Sequence, residues 1–151
     1  MIAIRDGHKD IVELLVARDD VDVNSATKSG HTAFSSAASK GNIEVMEMLL
    51  AKPDIDINTK DNAGWTPLMC AARDGHKEVV KLLLERQDVD VNMANKAGQT
   101  PFSLASSMKH LSIVKALLAR YDMDINAKDN ARDGRKEIVQ LLLTRQDIDV
   151  S

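Results

Sequence analysis

Hydrophobic and polar positions along the chain follow one arrangement that is clearest between residues 60 and 92. There, Val79, Val80, Leu82 and Leu83 recur at helical spacing and predict the buried stripe of an amphipathic helix. A unit of this size cannot bury its own apolar face. The arrangement therefore needs copies of itself as neighbours.

A shorter helix is predicted before this stripe and an extended segment after it. Thr66 can cap the shorter helix, and Pro67 suits its first position because no backbone donor is lost there. Gly75 is expected to end that helix. Residues 88–92, with the sequence DVDVN, alternate and predict extended chain with both valines on one side. Each unit is thus a helix–turn–helix followed by an extended loop.

The arrangement repeats with a period of 34 residues, which separates Gly7, Gly41 and Gly75. The same step links columns of leucine, aspartate and asparagine, namely Leu15, Leu49, Leu83, Leu117, Asp22, Asp56, Asp90, Asp124, Asn24, Asn58, Asn92 and Asn126. A period of this length predicts a solenoid of stacked units. The predicted units are 1–24 (incomplete), 25–58, 59–92, 93–126 and 127–151 (shortened).

One spaced set of residues in the third unit has a counterpart among known families. The set is Gly64, Thr66, Pro67, Leu68, Ala71, Ala72, Gly75, His76, Val79, Val80, Leu82, Leu83, Asp90, Val91 and Asn92. It resembles the ankyrin repeat, and the likeness covers nearly the whole chain, although the step is one residue longer than the usual 33. The resemblance implies one all-α domain over residues 1–151, an α-solenoid of helix–turn–helix repeats with short β-turn fingers.

The later units depart from this pattern. Lys109 stands where the third unit has Gly75, so a residue with a Cβ must make a turn that favours positive φ. The fifth unit lacks nine residues equivalent to 63–71, which hold the finger and most of the first helix. We expect its second helix, around 138–142, to dock in a displaced position.

The first apolar stripe, from Ile11 to Leu15, has no obvious cover on its outer side. Ends of solenoids normally need polar caps. The sequence therefore leaves open that the chain belongs to a longer array, or that it associates with itself through uncapped ends.

Composition narrows the classes of partner. The net charge is −3, which argues against nucleic acid because that partner needs a basic face. No apolar run approaches the ~18 residues of a membrane span, and the N-terminus has no signal-peptide pattern. Cys70 is the only cysteine, so no internal disulfide is possible. We expect an intracellular, reducing setting, most simply the cytoplasm.

Histidines and aspartates are the first candidates for chemistry. His8, His76 and His110 fall in one column, whose neighbours should stand about 10 Å apart, too far for two ligands on one metal. We interpret them as solvent-facing residues with a packing role. Five aspartate pairs, Asp20/Asp22, Asp54/Asp56, Asp88/Asp90, Asp122/Asp124 and Asp147/Asp149, invite a calcium interpretation. Calcium needs six to eight convergent oxygens, so solvated turn residues are favoured.

Cys70 and the asparagine column complete the candidates. A helix start could lower the pKa of the Cys70 thiol, but no motif places a base beside it, so a structural thiol is favoured over a nucleophile. The asparagines are expected to satisfy backbone groups inside the turns. No catalytic constellation, cofactor site or metal site emerges.

Trp65 is the strongest candidate for recognition. It is the only tryptophan, and its counterparts His31 and Gln99 are polar, which argues against a core position. An alternative is that its ring lies flat on the neighbouring finger.

The family resemblance implies a non-enzymatic protein–protein interaction module whose fingers and first helices form a concave binding face. The candidate contact residues are Trp65, Lys60, Asp61, Met69, Arg73, Asp74, His31, Ser35, Lys96, Gln99, Ser103 and Ser106. Met69, Ser35 and Ser103 replace the family's histidine, which is expected to remove a hydrogen bond between units. A structural spacer within a larger ankyrin-repeat protein is the competing hypothesis.

Overall fold

The computed structural model describes residues 9–124 and Gln140. Residues 9–124 form seven helices: α1 (Lys9–Val16), α2 (Ala33–Lys40), α3 (Ile43–Leu50), α4 (Pro67–Asp74), α5 (Lys77–Leu84), α6 (Pro101–Ser107) and α7 (Leu111–Leu118). The predicted all-α repeat solenoid is confirmed. The single-domain assignment and the unit boundaries stay predictions, and the displaced helix expected in the fifth unit lies outside the described residues apart from Gln140.

The helices stack in two rows. First helices pack on one another, α2 on α4 and α4 on α6, while second helices do the same from α1 through α3 and α5 to α7. Within each of the second, third and fourth units, the two helices also contact each other. This arrangement leaves one edge of the first-helix row, together with the fingers, as a continuous surface.

Local sequence explains where the first helices begin. The side chains of Thr32, Thr66 and Thr100 each accept a hydrogen bond from the backbone N–H three residues later. In α2 and α6 that third residue is Ser35 or Ser103, whose hydroxyl completes a reciprocal capping box. The serine-rich α2 is thereby as long as α4 despite weaker intrinsic propensity.

The turns between paired helices require a left-handed backbone conformation. Gly41 and Gly75 end α2 and α4 with φ of 69° and 78°. Lys109 takes the equivalent place with φ of 60°, as its alignment with Gly75 predicts. Lysine therefore adopts, at this turn, the left-handed conformation that favours glycine. α6 has seven residues where α4 has eight.

The core runs through all the described units as one column of leucine and small apolar residues. Leu49, Leu83 and Leu117 are fully buried. Val89 and Val91 of the extended segment are also buried, which confirms that both valines point the same way. The apolar layer is therefore shared between units.

Asparagines connect each unit to the next. Asn58 donates through Nδ2 to the carbonyl of Asp88 at 2.7 Å, and its Oδ1 accepts from the backbone N–H of Asp90 at 2.8 Å. Asn24 and Asn92 make the same pair of bonds to the following unit. The expectation that these amides satisfy backbone groups is confirmed, and the groups concerned lie in the following unit, about one period further along the chain. Asn126 lies outside the described residues.

Histidines make a second connection, which confirms the packing role expected of them, although they are half-buried and do not simply face solvent. His76 Nε2 donates to the carbonyl of Ser39 at 2.8 Å, and His110 Nε2 donates to the carbonyl of Arg73 at 3.0 Å. Both rings are half-buried against the glycine turn of the preceding unit. A Cβ at Gly75 would lie 2.7 Å from His110 Cε1. His8 lies outside the described residues.

Candidate functional site

The twelve candidate contact residues differ widely in exposure. Four are exposed, four are half-buried and four are buried. In that order they are His31, Lys60, Asp74 and Lys96, then Asp61, Trp65, Arg73 and Gln99, then Ser35, Met69, Ser103 and Ser106. Only the first eight offer surface to a partner.

The four buried residues correct the sequence-based list. Ser35 and Ser103 accept hydrogen bonds from the backbone N–H of Thr32 and Thr100, so their hydroxyls close the helix caps. Met69 occupies the same position in α4 and has no exposed surface. The third residue after the helix cap therefore points into the packed interior. The family resemblance had placed this position on the binding face.

Trp65 and Arg73 form the centre of the exposed surface. The Arg73 guanidinium carbon lies 4.8 Å from the centroid of the Trp65 ring. Arg73 also donates to both carboxylate oxygens of Asp74, at 2.6 and 2.8 Å. These hydrogen bonds raise the pKa of Arg73 and lower the pKa of Asp74, since each partner stabilises the charge of the other. The result is a platform of three side chains in contact, in which the charges of Arg73 and Asp74 compensate each other.

Asp61 holds the finger that carries Trp65. Its Oδ1 accepts from the backbone N–H groups of Ala63 and Trp65, each at 2.8 Å. Its other oxygen lies 3.8 Å from His31 Nδ1 in the preceding finger. Asp61 therefore shapes the turn more than it presents charge, and it fixes the backbone from which Trp65 projects.

Backbone contacts link the three fingers to one another. The N–H of Asn62 donates to the carbonyl of Ser29 at 3.0 Å, and the N–H of Lys96 donates to the carbonyl of Ala63 at 3.0 Å. Lys60 reaches the carbonyl of Ala94 at 3.4 Å. Hydrogen bonds therefore join units at the fingers even though the family's histidine is replaced.

A hollow of about 520 Å³ lies between α2 and the Trp65–Arg73 pair. Ser36, Ser39 and Cys70 line it together with His31, Trp65 and Arg73. Sequence reasoning named the last three and missed the first three. The 34-residue period could have indicated the hollow, because it places Ser36 of the preceding unit at the position equivalent to Cys70, and both residues are small. Small residues at both of these equivalent positions leave space at the wall of the hollow.

Comparison with protein families decides the class of the chain. A family model described as ankyrin repeats, three copies, matches residues 1–61 and 55–129. These matches together span residues 1–129 of the 151. The chain belongs to the ankyrin repeat family. A search of curated proteins finds no match.

Ankyrin repeats generally act as protein–protein interaction modules and are generally not enzymes. This ankyrin repeat chain has no helix, within residues 9–124, long and apolar enough to cross a bilayer. Over the same residues, no three His, Cys, Asp or Glu side chains converge as a metal site would require. The aspartates of the loops instead accept hydrogen bonds inside their turns, as Asp56 does from the N–H of Asn58 at 3.0 Å.

Cys70 places a thiol at the hollow of this ankyrin repeat domain. Burial raises the pKa of its thiol to about 11, and the nearby positive charge of Arg73 opposes this only in part. The helix start does not lower the pKa below its ordinary value. Cys70 is therefore a neutral thiol at pH 7, which favours its structural role over that of a nucleophile.

Proposed function

We propose that this ankyrin repeat chain binds another protein, without catalysis, through the concave surface formed by the fingers and first helices. The observation that carries the proposal is the platform of Trp65, Arg73 and Asp74. Tryptophan and arginine are the residues most enriched among interface anchors. Trp65 and Arg73 are half-buried and held by their contact with each other, which reduces the entropy lost when they are ordered on binding.

The neighbouring fingers extend this surface on both sides. His31 lies in the preceding finger, and Lys96 and Gln99 lie in the following one. Hydrogen bonds between fingers make the three parts one scaffold. Charges of both signs are present, which suits a protein partner better than nucleic acid. The same composition, with one neutral cysteine, fits a reducing intracellular compartment.

The test is affinity capture from a cell lysate followed by a binding titration with the captured protein. We compare the natural chain with a Trp65→Ala, Arg73→Ala double variant. The matched control is Lys81→Ala, Glu85→Ala, which removes exposed side chains from the other helix row. Binding should weaken at least tenfold in the first variant and stay within about twofold in the control, as expected for an anchor and a non-contact position.

Circular dichroism must give the same helical content for all three proteins. Equal binding by the natural chain and by the Trp65→Ala, Arg73→Ala variant would exclude this surface as the site of recognition.

The exposed face of α1 favours a second candidate function, that of a structural spacer. Ile11, Leu14 and Leu15 are 48%, 70% and 40% exposed. In the stacked units the equivalent face packs on a neighbouring unit, so this face suits a further repeat or a second copy of the chain. If neither the natural chain nor the control variant retains any protein, while sedimentation reports self-association, the spacer is favoured.

A further inference from the structure

We propose that the hollow between α2 and the Trp65–Arg73 pair receives one uncharged aromatic side chain, a tyrosine, of the partner protein. The inference rests on the proposed protein-binding function and specifies the chemistry of what binds. It follows from the shape of the hollow, from the groups that form its walls and from the way their charges are already paired.

The hollow results from a size difference between equivalent positions. Ser36 on α2 faces the wall that Arg73 and Trp65 build from the next unit. In the following units the residue equivalent to Ser36 becomes Cys70 and then Leu104, which is buried. Space of about 520 Å³ therefore remains between the second and third units. That volume falls within the range of roughly 300–1,000 Å³ typical of ligand sites.

The walls favour an aromatic occupant over an aliphatic one. Trp65 presents a ring to the hollow, and aromatic pairs gain from offset or edge-to-face contact at about 4.5–7 Å between centroids. The guanidinium of Arg73 adds a flat cationic group that favours the face of a second ring. Because Arg73 already lies 4.8 Å from the Trp65 centroid, a further ring would extend an existing stack.

The pairing of charges argues against a charged occupant. The carboxylate of Asp74 accepts hydrogen bonds from Nε and Nη2 of Arg73, so the charges of these two side chains are paired. One carboxylate oxygen of Asp61 accepts hydrogen bonds from two backbone N–H groups, and the other lies near His31. Lys40 also lines the hollow and already takes part in an interaction within the protein. A carboxylate or an ammonium group would therefore enter without an uncommitted counter-charge, and burying it would be unfavourable.

Hydroxyl groups at the rim favour tyrosine over phenylalanine. Thr27 Oγ1 and Ser29 Oγ lie 3.0 Å apart and can each exchange their mutual bond for one to a phenol. Ser39 Oγ makes only a long contact of 3.5 Å to Asp74. The phenolic O–H of a tyrosine can hydrogen-bond to these rim hydroxyls while its ring contacts Trp65, whereas phenylalanine has no group that can do so.

The test uses N-acetyl-tyrosinamide as a probe and the indole N–H of Trp65 as the reporter. Because the chain has one tryptophan, the indole N–H gives one resonance in a proton–nitrogen spectrum. We expect a saturable shift with a dissociation constant on the order of 1 mM, as suits a ligand of this size. N-acetyl-phenylalaninamide should bind more weakly, and N-acetyl-leucinamide and N-acetyl-glutamate amide should leave the resonance unmoved at the same concentration.

A matched pair of variants locates the binding. Ser36→Leu introduces the residue that Leu104 supplies in the fourth unit and should weaken probe binding several-fold by narrowing the hollow beside Trp65 and Arg73. Ser112→Leu makes the same change at an exposed position of α7 and should leave the titration unchanged. Both variants are checked for helical content.

Absence of any saturable shift in the natural chain would overturn the inference, as would equal binding of the leucine and tyrosine probes. These results leave the proposed function untouched, since loss of partner binding in the Trp65→Ala, Arg73→Ala variant is measured separately. Conversely, probe binding without any captured protein would support the hollow as a binding site and count against the proposed protein partner.

Discussion

The same apolar stripe occurs in α1 and α5 but meets different surroundings. Leu15 and Leu83 are equivalent positions of the 34-residue period. Leu83 has no exposed surface, whereas Leu15 is 40% exposed and Leu14 is 70% exposed. α5 lies between α3 and α7, while α1 packs on α3. The difference lies in the neighbours, because the helices themselves carry nearly the same sequence pattern.

This comparison explains where the stability of the array comes from. A repeat protein is stabilised by nearest-neighbour interfaces added to weak intrinsic unit stabilities. A leucine with units on both sides loses all contact with water on folding. A leucine at the edge of the described stack remains partly exposed to water. Identical residues in one column should therefore contribute unequal free energies.

The largest predicted effect compares Leu83→Ala with Leu15→Ala. Leu83→Ala should reduce the free energy of unfolding by about 2–5 kcal/mol, because it leaves a cavity between packed helices. Leu15→Ala should cost less than about 1 kcal/mol, because the deleted atoms are partly exposed. Urea denaturation followed by circular dichroism gives both values. Equal costs would mean that burial along the column does not govern stability.

The second prediction concerns the asparagine hydrogen bonds. Unlike the leucines, they should contribute the same free energy at the edge of the described stack and in its interior. Asn24→Ala and Asn58→Ala each remove one donor and one acceptor used by the following unit. Each change should cost about 1–3 kcal/mol, since two hydrogen bonds are lost at partly exposed groups.

Urea denaturation of both variants measures these costs, with Asn62→Ala as a control that removes one bond, to the carbonyl of Lys28. A cost for Asn58→Ala several times that for Asn24→Ala would contradict the idea that each bond pair acts between two units alone.

Much of the fold could be predicted because its determinants are local and repeated. The ends of α4 follow from the cap at Thr66, the proline at position 67 and the left-handed turn at Gly75. The 34-residue period then predicts the helix ends of the other units. The partners of Asn58 and His76 could not be predicted. Both side chains act across the gap between units, and a sequence pattern does not give the distance or direction between equivalent positions.

The candidate site was predicted in outline for the same reason. The position of Trp65 on a finger follows from its polar counterparts in other units. The pairing of Arg73 with Asp74, the burial of Met69 and the hollow at Ser36 depend on side-chain directions in neighbouring helices. Those directions are properties of the stack, and the one usable sequence signal was the small size of Ser36 relative to Leu104.

The smallest predicted effect concerns the turn that departs from the pattern of the third unit. Lys109→Gly should raise the free energy of unfolding by about 0.5 kcal/mol. Glycine relieves the left-handed strain of a residue with φ of 60°, but it also increases the entropy of the unfolded chain, so the net gain is small. The control is Lys115→Gly, the same substitution inside α7, which should cost about 1 kcal/mol.

Denaturation of both variants under identical conditions measures the two changes with opposite expected signs. A loss of stability in Lys109→Gly as large as that in Lys115→Gly would show that the lysine side chain contributes contacts that outweigh the strain. A gain would show that the left-handed backbone at Lys109 costs the fourth unit stability although its leucine, Leu117, is as buried as Leu83.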